Sequence, residues 1–346
     1  LSHTYENTLG LILPMLSGAC VYYLQKPPTP TVLIPALELI RPTAMLTVPL
    51  IIEKIYYNKI LPTFNNKKIL RLIYKIPLIR KALNKVAGKK LMKTFGGEIK
   101  FFGIGGAKLN KTVEKFLREA SFPYAIGYGL TETSPLLAGA NPKKTVYEST
   151  GPAIEDIELK INDPDPRTGE GEIWARGANI MKGYYKEPEM TSAVLTSDGW
   201  FKTGDLGRLD EENYLYLAGR AKNMIVTEGG KNVYPEEIEN SFQLYTDIEQ
   251  ITVKGYIMDK ATKSEGIEAL IYPSDDLYKR LGLIRGAQDS IDPVYAAIQE
   301  TVDKVNKEMQ PYARISRITI LLEALEMTTT KKVKRNFDHV QAVDTV

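Results

Sequence analysis

The sequence predicts an α/β protein of two parts, a larger part over residues 1–219 and a smaller α+β part over 220–346. Three observations support this prediction. The chain has 346 residues, more than one ordinary domain usually holds. Short apolar segments of strand character alternate with segments of helical periodicity, as in layered α/β proteins. Finally, Gly219–Asn223 separates a β-rich stretch, 151–218, from a remainder in which strands and helices alternate again.

The first segment with a clear pattern is Thr8–Leu24, which is mostly apolar. It is barely long enough to cross a membrane and is interrupted by Gly10, Pro14 and Gly18. The pattern therefore favours a buried helix followed by a strand at Val21–Leu24 over a transmembrane helix. We see no signal peptide.

The next segment, 54–93, is strongly basic, with twelve Lys or Arg residues and no Asp or Glu. Apolar residues recur in it at roughly helical spacing: Ile69, Leu70, Ile73, Leu78, Ile79 and Leu83. A basic amphipathic helix can lie on an anionic membrane. A solvated face of a surface insertion explains the same pattern, and the two interpretations remain equally open.

The later segments follow strand, turn and helix patterns. We predict strands at Ala44–Val48, Ile99–Ile104, Tyr124–Ile126, Ile251–Val253 and Ala269–Ile271, and helices at Lys111–Ala120 and Pro293–Met309.

Composition restricts the function. Lys plus Arg is 45 and Asp plus Glu is 42, a net charge of +3, which gives no reason to expect nucleic-acid binding. Cys20 is the single cysteine, so no internal disulfide forms and a reducing cytoplasmic compartment is expected. His3 and His339 lie at opposite ends of the sequence, which argues against a His/Cys metal cluster.

Gly105-Gly106-Ala107 follows a predicted strand and precedes a predicted helix, where bare backbone can approach a flat ligand. It is not a dinucleotide fingerprint, because after Gly103 and Gly105 the third glycine is replaced by Lys108. Taken alone, a tight structural turn explains it better.

In Tyr128-Gly129-Leu130-Thr131-Glu132-Thr133, an aromatic ring beside glycine can stack on a base. The Thr131 hydroxyl can donate to a phosphate, and the Glu132 carboxylate can hold Mg²⁺. A turn with Thr131 as a helix N-cap is the simpler interpretation of this motif alone.

Three further motifs carry polar groups suited to a nucleotide. Asp205 of Thr203-Gly204-Asp205 can accept from ribose hydroxyls, and Arg220 can hold a ribose or phosphate. For Asp205, an ordinary Asp turn is the alternative interpretation. Lys202-Thr203-Gly204 is also found in penicillin-binding proteins, but no Ser-x-x-Lys occurs in this chain. The basic segment 328–335 is weak evidence alone.

In order and spacing, these motifs together resemble the acyl-adenylate-forming superfamily, over nearly the whole chain. The densest agreement is in Met181-Lys182-Gly183-Tyr184-Tyr185, Asp198–Asp205, Gly219-Arg220 and Tyr234-Pro235-Glu236-Glu237-Ile238-Glu239. Within the superfamily, Leu1–Glu6 and Gly127–Pro135 look most like bacterial long-chain fatty acid CoA ligases.

The resemblance implies a truncated adenylation domain over 1–219, with α/β layers and a distorted β-barrel, and a mobile C-terminal domain over 220–346. It also implies roles for individual residues. Gly105, Gly106 and Ala107 would line the adenine and acyl pocket, Tyr128 beside Gly129 would stack on adenine, Thr131 would contact the α-phosphate, Glu132 would bind Mg²⁺, Asp205 and Arg220 would hold the ribose, Lys222 would be the hinge, Gly230 would lie by the pantetheine of coenzyme A, and Lys332 would bridge the substrate carboxylate and the α-phosphate.

Two features depart from the family pattern. Lys331 replaces the usual glycine before the catalytic lysine, so Lys331 and Lys334 compete with Lys332 for that assignment, and we retain Lys332. The family's phosphate loop is not found in this chain, which opens on Leu1 without Met. We therefore expect a piece of a longer protein.

The resemblance implies a ligase that uses ATP, Mg²⁺ and coenzyme A to convert a long-chain fatty acid to its CoA thioester. An acyl-AMP ligase that loads a carrier protein and a non-catalytic nucleotide-binding fragment are the alternatives. A membrane-surface adaptor acting through 54–93 is a third. We expect a cytoplasmic location with possible peripheral contact with membranes.

Overall fold

The computed structural model describes residues 3–26, 29–65, 68–227, 231–242, 244–259 and 264–327, together with 333, 335 and 342–343. Gly230 and Lys332, two of the predicted site residues, lie outside the described residues. The chain divides into two compact units, Leu1–Ala218 and Gly219–Val346.

The first unit contains a four-stranded sheet in the order β1-β2-β3-β4. Its strands are β1 (Ala44–Thr47), β2 (Phe101–Ile104), β3 (Tyr124–Gly129) and β4 (Leu136–Gly139). The pairs β1/β2 and β2/β3 are parallel, whereas β3/β4 is antiparallel. Because parallel strands end at the same edge, the residues after β1, β2 and β3 come together there.

Helices accompany this sheet. They are α1 (Leu13–Leu16), α2 (Pro30–Ile40), α3 (Pro49–Ile55), α4 (Leu61–Asn65), α5 (Lys68–Ile73), α6 (Pro77–Thr94) and α7 (Lys111–Glu119), with π-helical turns at Glu6–Ile12 and Tyr56–Ile60. Proline within the first two positions starts α2, α3 and α6, where its missing N–H costs no helical hydrogen bond. The core between sheet and helices includes Ile52, Phe102, Val113, Phe116 and Leu117, each at most 1% exposed.

The prediction for Thr8–Leu24 is only half right. A helix is present, over Glu6–Leu16, but Val21–Leu24 forms no strand. The helix is also not buried, since Met15 and Leu16 are 63% and 81% exposed. An apolar segment forms a strand only where it pairs with a neighbouring strand, and among the described strands β1 pairs with β2 alone. No described helix is both long enough and apolar enough to cross a membrane.

The β-rich stretch of the first unit forms a second sheet in the order β5-β6-β7-β8. Its strands are β5 (Ile157–Asn162), β6 (Gly171–Gly177), β7 (Phe201–Leu209) and β8 (Leu215–Arg220), with α8 (Pro188–Val194) between β6 and β7. Single bridges, Ala138 to Ala153 and Gly151 to Leu215, connect β4 to β8 through the intervening segment. The pairings among these described strands form an open row, so the β-barrel stays a prediction.

The second unit is an α+β sheet structure with its own core. Its elements are β9 (Ile225–Val226), β10 (Asn232–Val233), α9 (Pro235–Phe242), β11 (Ile248–Asp259), β12 (Ser264–Pro273), α10 (Asp275–Leu281), α11 (Ile291–Glu308), β13 (Arg317–Leu321) and β14 (Ala342–Val343). The main sheet has the order β11-β12-β13-β14. Phe242, Val253, Ala269, Ile271 and Ile298 are at most 1% exposed in this core. The predicted α/β class is confirmed.

Candidate active site

Two predicted motifs meet at the carboxyl edge of the first sheet. Ile104, the last residue of β2, pairs with Thr47 on one side and Ile126 on the other. The glycine turn Gly105–Ala107 and the end of β3 that leads into Thr131 and Glu132 therefore emerge side by side. Ligands of open α/β sheets bind at this edge.

The glycine turn presents open backbone at Gly106 and Ala107 but not at the buried Gly105, where a Cβ would lie 3.2 Å from the Tyr5 ring. The Gly105 N–H donates to the Thr47 carbonyl at 3.1 Å, which holds the start of the turn to β1. Gly106 has φ +86°, a conformation that L side chains rarely adopt, and a Cβ there would meet only Val48, at 3.8 Å. Gly106 and Ala107 are exposed, so a flat ligand could approach them.

Gly129 is required by its own backbone surroundings. A Cβ at this position would lie 1.8 Å from the carbonyl oxygen of Pro135, which also accepts from the Leu130 N–H at 3.0 Å. Only glycine permits the chain to fold back so closely. The structural and the nucleotide-binding interpretations of this glycine are therefore compatible.

Thr131 is not the helix N-cap that the motif alone suggested. The short helix is Thr131–Thr133 and its N-cap is Leu130. The hydroxyl that satisfies the Leu130 N–H, at 2.9 Å, belongs to the fully buried Thr133. The Thr133 side chain points back toward Leu130, the residue before the helix. Thr131 is exposed, and its hydroxyl is able to donate to a ligand.

Asn179 fixes the same turn from outside the motif. Its Nδ2 donates to the carbonyls of Thr133 at 2.7 Å and Leu136 at 2.8 Å. This residue was not predicted from the sequence, where only its place two residues before Met181-Lys182-Gly183-Tyr184-Tyr185 could have signalled it.

Tyr128 and Asp205, which lie 77 residues apart in sequence, are in direct contact. The Tyr128 hydroxyl donates to Oδ2 of Asp205 at 2.8 Å. The Asp205 N–H donates to the Thr203 hydroxyl at 3.1 Å, and that hydroxyl donates to the Ile173 carbonyl at 2.7 Å. Asp205 is thus held at a fixed position on β7. With Tyr128 7% exposed, its stacking on adenine stays a prediction.

Glu132 is oriented by a tyrosine that the sequence analysis did not assign. The Tyr184 hydroxyl donates to Oε1 of Glu132 at 3.0 Å, and the Met181 N–H donates to the Glu132 carbonyl at 2.8 Å. Burial, together with the Glu132 carboxylate, raises the pKa of Tyr184, so the phenol stays protonated and remains a donor. The motif Met181–Tyr185 was the available signal.

The Tyr184 backbone is itself anchored. Its N–H donates to the Thr191 hydroxyl at 2.9 Å, and that hydroxyl donates to the Glu187 carbonyl at 2.8 Å. The loop that supplies Tyr184 is therefore pinned to the start of α8.

The remaining predicted residues that the structure describes, Arg220 and Lys222, lie just after the division between the units, which falls within β8. Arg220 ends β8 and accepts the Met224 N–H on its carbonyl at 3.1 Å. Lys222 lies in the 3₁₀ turn Ala221–Asn223, just after the division between the units. Both residues are exposed.

The residues present fit a magnesium nucleotide. Magnesium is usually held by one or two carboxylates together with substrate phosphates. The described residues contain no group of three His, Cys, Asp or Glu side chains arranged for a metal. Glu132, held by Tyr184 through one oxygen, keeps lone pairs available for such a shared ion.

A glycine turn and an exposed threonine at the edge of a sheet, beside an oriented carboxylate and a buried aspartate, form the candidate nucleotide-binding site of this α/β protein. Residues 1–185 match the AMP-binding enzyme family. The chain belongs to that family, and its resemblance to the adenylate-forming superfamily is confirmed.

Curated relatives carry ligase names. The chain is 31% identical over 217 residues to long-chain-fatty-acid–CoA ligase 1 of Saccharomyces cerevisiae, covering 61% of this chain and 31% of that protein. It is 29% identical over 337 residues to long-chain-fatty-acid–CoA ligase FadD15 of Mycobacterium bovis, covering 88% and 54%. It is 32% identical over 268 residues to the chloroplastic long-chain-fatty-acid–[acyl-carrier-protein] ligase AEE15 of Arabidopsis thaliana, covering 73% and 36%. The chain thus spans between 31% and 54% of these relatives.

Solved structures share the fold. The o-succinylbenzoate CoA synthetase of Bacillus subtilis, in complex with its acyl-adenylate intermediate, superposes with a TM-score of 0.68 at 19% identity, over 98% of this chain and 60% of that one. ATP-bound MatB from Rhodopseudomonas palustris superposes with a TM-score of 0.62 at 23% identity, over 96% and 56%.

Proposed function

We propose that this chain is part of an ATP-dependent ligase that activates a long-chain fatty acid as an acyl-adenylate and transfers the acyl group to coenzyme A, releasing AMP and pyrophosphate. The carrying observation is the pair of contacts Tyr128–Asp205 and Glu132–Tyr184 beside the glycine turn. Family membership supports the adenylate chemistry, and the names of the relatives support a long-chain acid.

The proposed reaction needs help at the α-phosphate. A carboxylate is a poor acyl donor, and its attack on the α-phosphorus of ATP builds negative charge there as pyrophosphate leaves. The exposed Thr131 hydroxyl would donate to an α-phosphate oxygen, and Lys332 would bridge that phosphate and the substrate carboxylate. Magnesium, when bound at Glu132, would supply further charge neutralisation.

The other residues would bind and reorganise. Asp205 and Arg220 would hold the ribose, while Gly105, Gly106, Ala107, Tyr128 and Gly129 would surround the adenine and the acyl carbonyl. In the second half-reaction the C-terminal domain would turn about Lys222, and Gly230 would line the path of the coenzyme A thiol.

Two alternatives follow from specific observations. The Arabidopsis relative is named as a ligase for acyl-carrier protein, so a carrier protein could replace coenzyme A as acceptor. The chain covers only 54% of FadD15, so by itself it could be a nucleotide-binding fragment without turnover.

The test is pyrophosphate release with palmitate and ATP, with and without coenzyme A, measured on the full-length gene product and on this chain. We expect CoA-dependent turnover by the full-length protein that is lost in Lys332→Ala. Turnover that needs a carrier protein instead would favour the first alternative. No turnover with acids of any chain length would overturn the ligase proposal.

We also propose peripheral contact of a cytoplasmic protein with anionic membranes through 54–93. In this basic segment several apolar side chains are exposed, with Ile69 at 75%, Leu72 at 63% and Leu78 at 82%. Exposed apolar groups among lysines match a surface with acyl chains and anionic headgroups.

Sedimentation of the full-length protein with vesicles tests this contact. We expect binding to vesicles that contain phosphatidylserine, weakening as salt rises and lost when Lys81, Lys85 and Lys89 are changed to Glu. Equal binding to pure phosphatidylcholine vesicles, or no binding to either, would contradict the proposal.

A further inference from the structure

The segment that follows Lys332 is fixed within the second unit at two places. The first is Val333, which forms a single antiparallel bridge with Met327. Its side chain packs against the apolar cluster of Leu270, Leu321 and Leu325. Val333 is therefore held by both a backbone bridge and apolar contacts.

The second fixed place is Arg335. Its Nη2 donates to both carboxylate oxygens of Glu239, at 2.8 and 2.9 Å, and its Nη1 donates to the Val253 carbonyl at 2.8 Å. Glu239 also accepts the Val253 N–H at 2.7 Å. The two side chains are only 23% and 19% exposed, so this charged contact is poorly screened by solvent.

A neighbouring carboxylate extends the contact to the predicted hinge. Oε1 of Glu236 accepts from Nδ2 of Asn223 at 2.5 Å and pairs with Nη2 of Arg335 at 3.4 Å. Asn223 directly follows Lys222 in sequence. The first turns of α9, through Glu236 and Glu239, thus hold both the segment after Lys332 and the residue after the hinge lysine.

We propose that Arg335, clamped by Glu239 and Glu236, is the positioning residue for Lys332 in acyl-adenylate formation. Lys332 directly precedes Val333 in the sequence, so the fixed positions of Val333 and Arg335 would restrict where the lysine can lie. Among the described residues that follow the lysine, loss of the Arg335 contacts leaves the bridge and the apolar contacts of Val333. The inference rests on the proposed function, in which Lys332 acts at the α-phosphate.

This role predicts a defect confined to one half-reaction. Lys332 is used while negative charge builds on the α-phosphate, and a misplacement of about 1 Å costs on the order of 100-fold in rate. The transfer of the acyl group from the finished adenylate to coenzyme A does not use this lysine. A merely structural role for Arg335 would instead impair both steps together.

The experiment uses full-length gene product carrying Arg335→Gln. Single-turnover pyrophosphate release with palmitate and ATP reports adenylate formation, and thioester formation from synthetic palmitoyl-adenylate and coenzyme A reports the second step. We expect the first rate to fall about 100-fold and the second to be unchanged. Arg335→Lys keeps the charge but not the forked geometry, so it should recover part of the first rate.

Arg280→Gln is the matched control, because Arg280 pairs with Asp247 at 2.7 Å in the same unit. It should leave both rates unchanged. If Arg335→Gln does not fold, Glu239→Gln, which removes the charge but keeps the side-chain length, should show the same selective loss.

Parallel loss of both half-reactions, or no loss of either, would overturn the positioning role. Failure of the proposed function is distinguished by Lys332→Ala in the same assays. If that variant forms the adenylate at the normal rate, the assignment of Lys332 is wrong whatever Arg335 does.

Discussion

At the scale of single residues, the hydrogen bond from Tyr184 to Glu132 sets the direction of the carboxylate to which we assign magnesium. The donor and acceptor are 52 residues apart, and the structure joins them at 3.0 Å. One oxygen of Glu132 is thereby engaged, which restricts how the carboxylate can turn toward an ion.

We expect Tyr184→Phe to weaken magnesium binding while leaving the use of fatty acid unchanged. Removing a hydrogen bond to a charged group costs about 1.5 kcal/mol or more, which corresponds to about a tenfold rise in the magnesium concentration for half-maximal pyrophosphate release. The measurement is a magnesium titration of the full-length enzyme at saturating ATP. Manganese binding by electron paramagnetic resonance with ATP present gives a readout that does not depend on turnover.

Tyr185→Phe is the control for this prediction, because Tyr185 is the adjacent tyrosine and is 86% exposed. An unchanged magnesium dependence in Tyr184→Phe would show that the Tyr184 hydroxyl does not orient the site.

Motif order predicted some of the site residues from sequence and missed those that act by orienting their neighbours. Tyr128 and Asp205 were named from motif order, and the structure brings their side chains together. Tyr184, Thr133 and Asn179 were missed because their roles depend on contacts made only in the folded chain. The N-cap interpretation of Thr131 is wrong because the short helix begins at Thr131 itself, with Leu130 as its N-cap.

At the scale of helices and strands, α6 is tied to α7 by a partly buried cluster. Arg80 donates to Glu119 through Nε and Nη2, at 3.0 and 2.8 Å, and Nδ2 of Asn84 donates to Glu119 at 2.7 Å. Arg80 and Glu119 are 22% and 16% exposed. The basic helix α6 is therefore held against α7 by one of its own basic side chains, Arg80.

This cluster predicts a stability difference that depends on pH. Burial by itself would raise the pKa of Glu119, but the hydrogen bonds from Arg80 and Asn84 outweigh it and hold the pKa below its ordinary value. A carboxylate whose pKa is lower in the folded state stabilises the fold above the unfolded pKa, about 4.3 for Glu. This stabilisation is lost as pH falls through the folded pKa.

We therefore expect Arg80→Met to lower the free energy of unfolding by about 2 kcal/mol at pH 7, and by progressively less below about pH 4.3. Urea unfolding of this chain across that pH range measures both quantities. Arg41→Met is the control, because Arg41 and Glu98 form an exposed pair with side chains 59% and 48% exposed. A constant difference down to pH 2 would contradict the assignment to Glu119.

Element prediction succeeded where periodicity and pairing agree. The sequence predicted β1, β2, β3 and α7 within a few residues of their observed ranges. In these segments the spacing of apolar residues matches either a strand or a helix clearly. Val21–Leu24 has the same strand-like composition but pairs with none of the described strands. The periodicity of a segment does not show which strand, if any, will pair with it. Segment 54–93 was expected to be helical, and the described residues there are mainly in helices.

At the scale of the whole molecule, the site residues are divided between the two units. The first unit contains Tyr128, Glu132 and Asp205, whereas Arg220 and Lys222 lie in the second. Sequence order could assign residues to both units, because motifs are read along the chain. Sequence order does not tell how the residues of the first unit and those of the second are arranged when they act together.

Nucleotide binding by the whole chain tests the residues of the first unit. The contacts of the first unit are suited to adenosine and to an α-phosphate, so we expect this chain to be stabilised by AMP. A ligand at 100 times its Kd stabilises the folded state by about 2.7 kcal/mol, a shift that thermal unfolding detects. Asp205→Asn should reduce the shift because the ribose loses a charged acceptor, and Glu211→Gln, an exposed substitution, should not.

ATP and AMP should stabilise this chain to a similar extent, whereas the full-length gene product should favour ATP with magnesium. The motifs found here are proposed to contact the adenosine and the α-phosphate, so added affinity for the β- and γ-phosphates is expected to come from other residues. A strong preference of this chain for ATP over AMP would contradict that reasoning and would place the missing phosphate contacts within residues 1–346. If neither nucleotide raises the unfolding temperature of the chain or of the full-length protein, the proposed adenosine site is wrong.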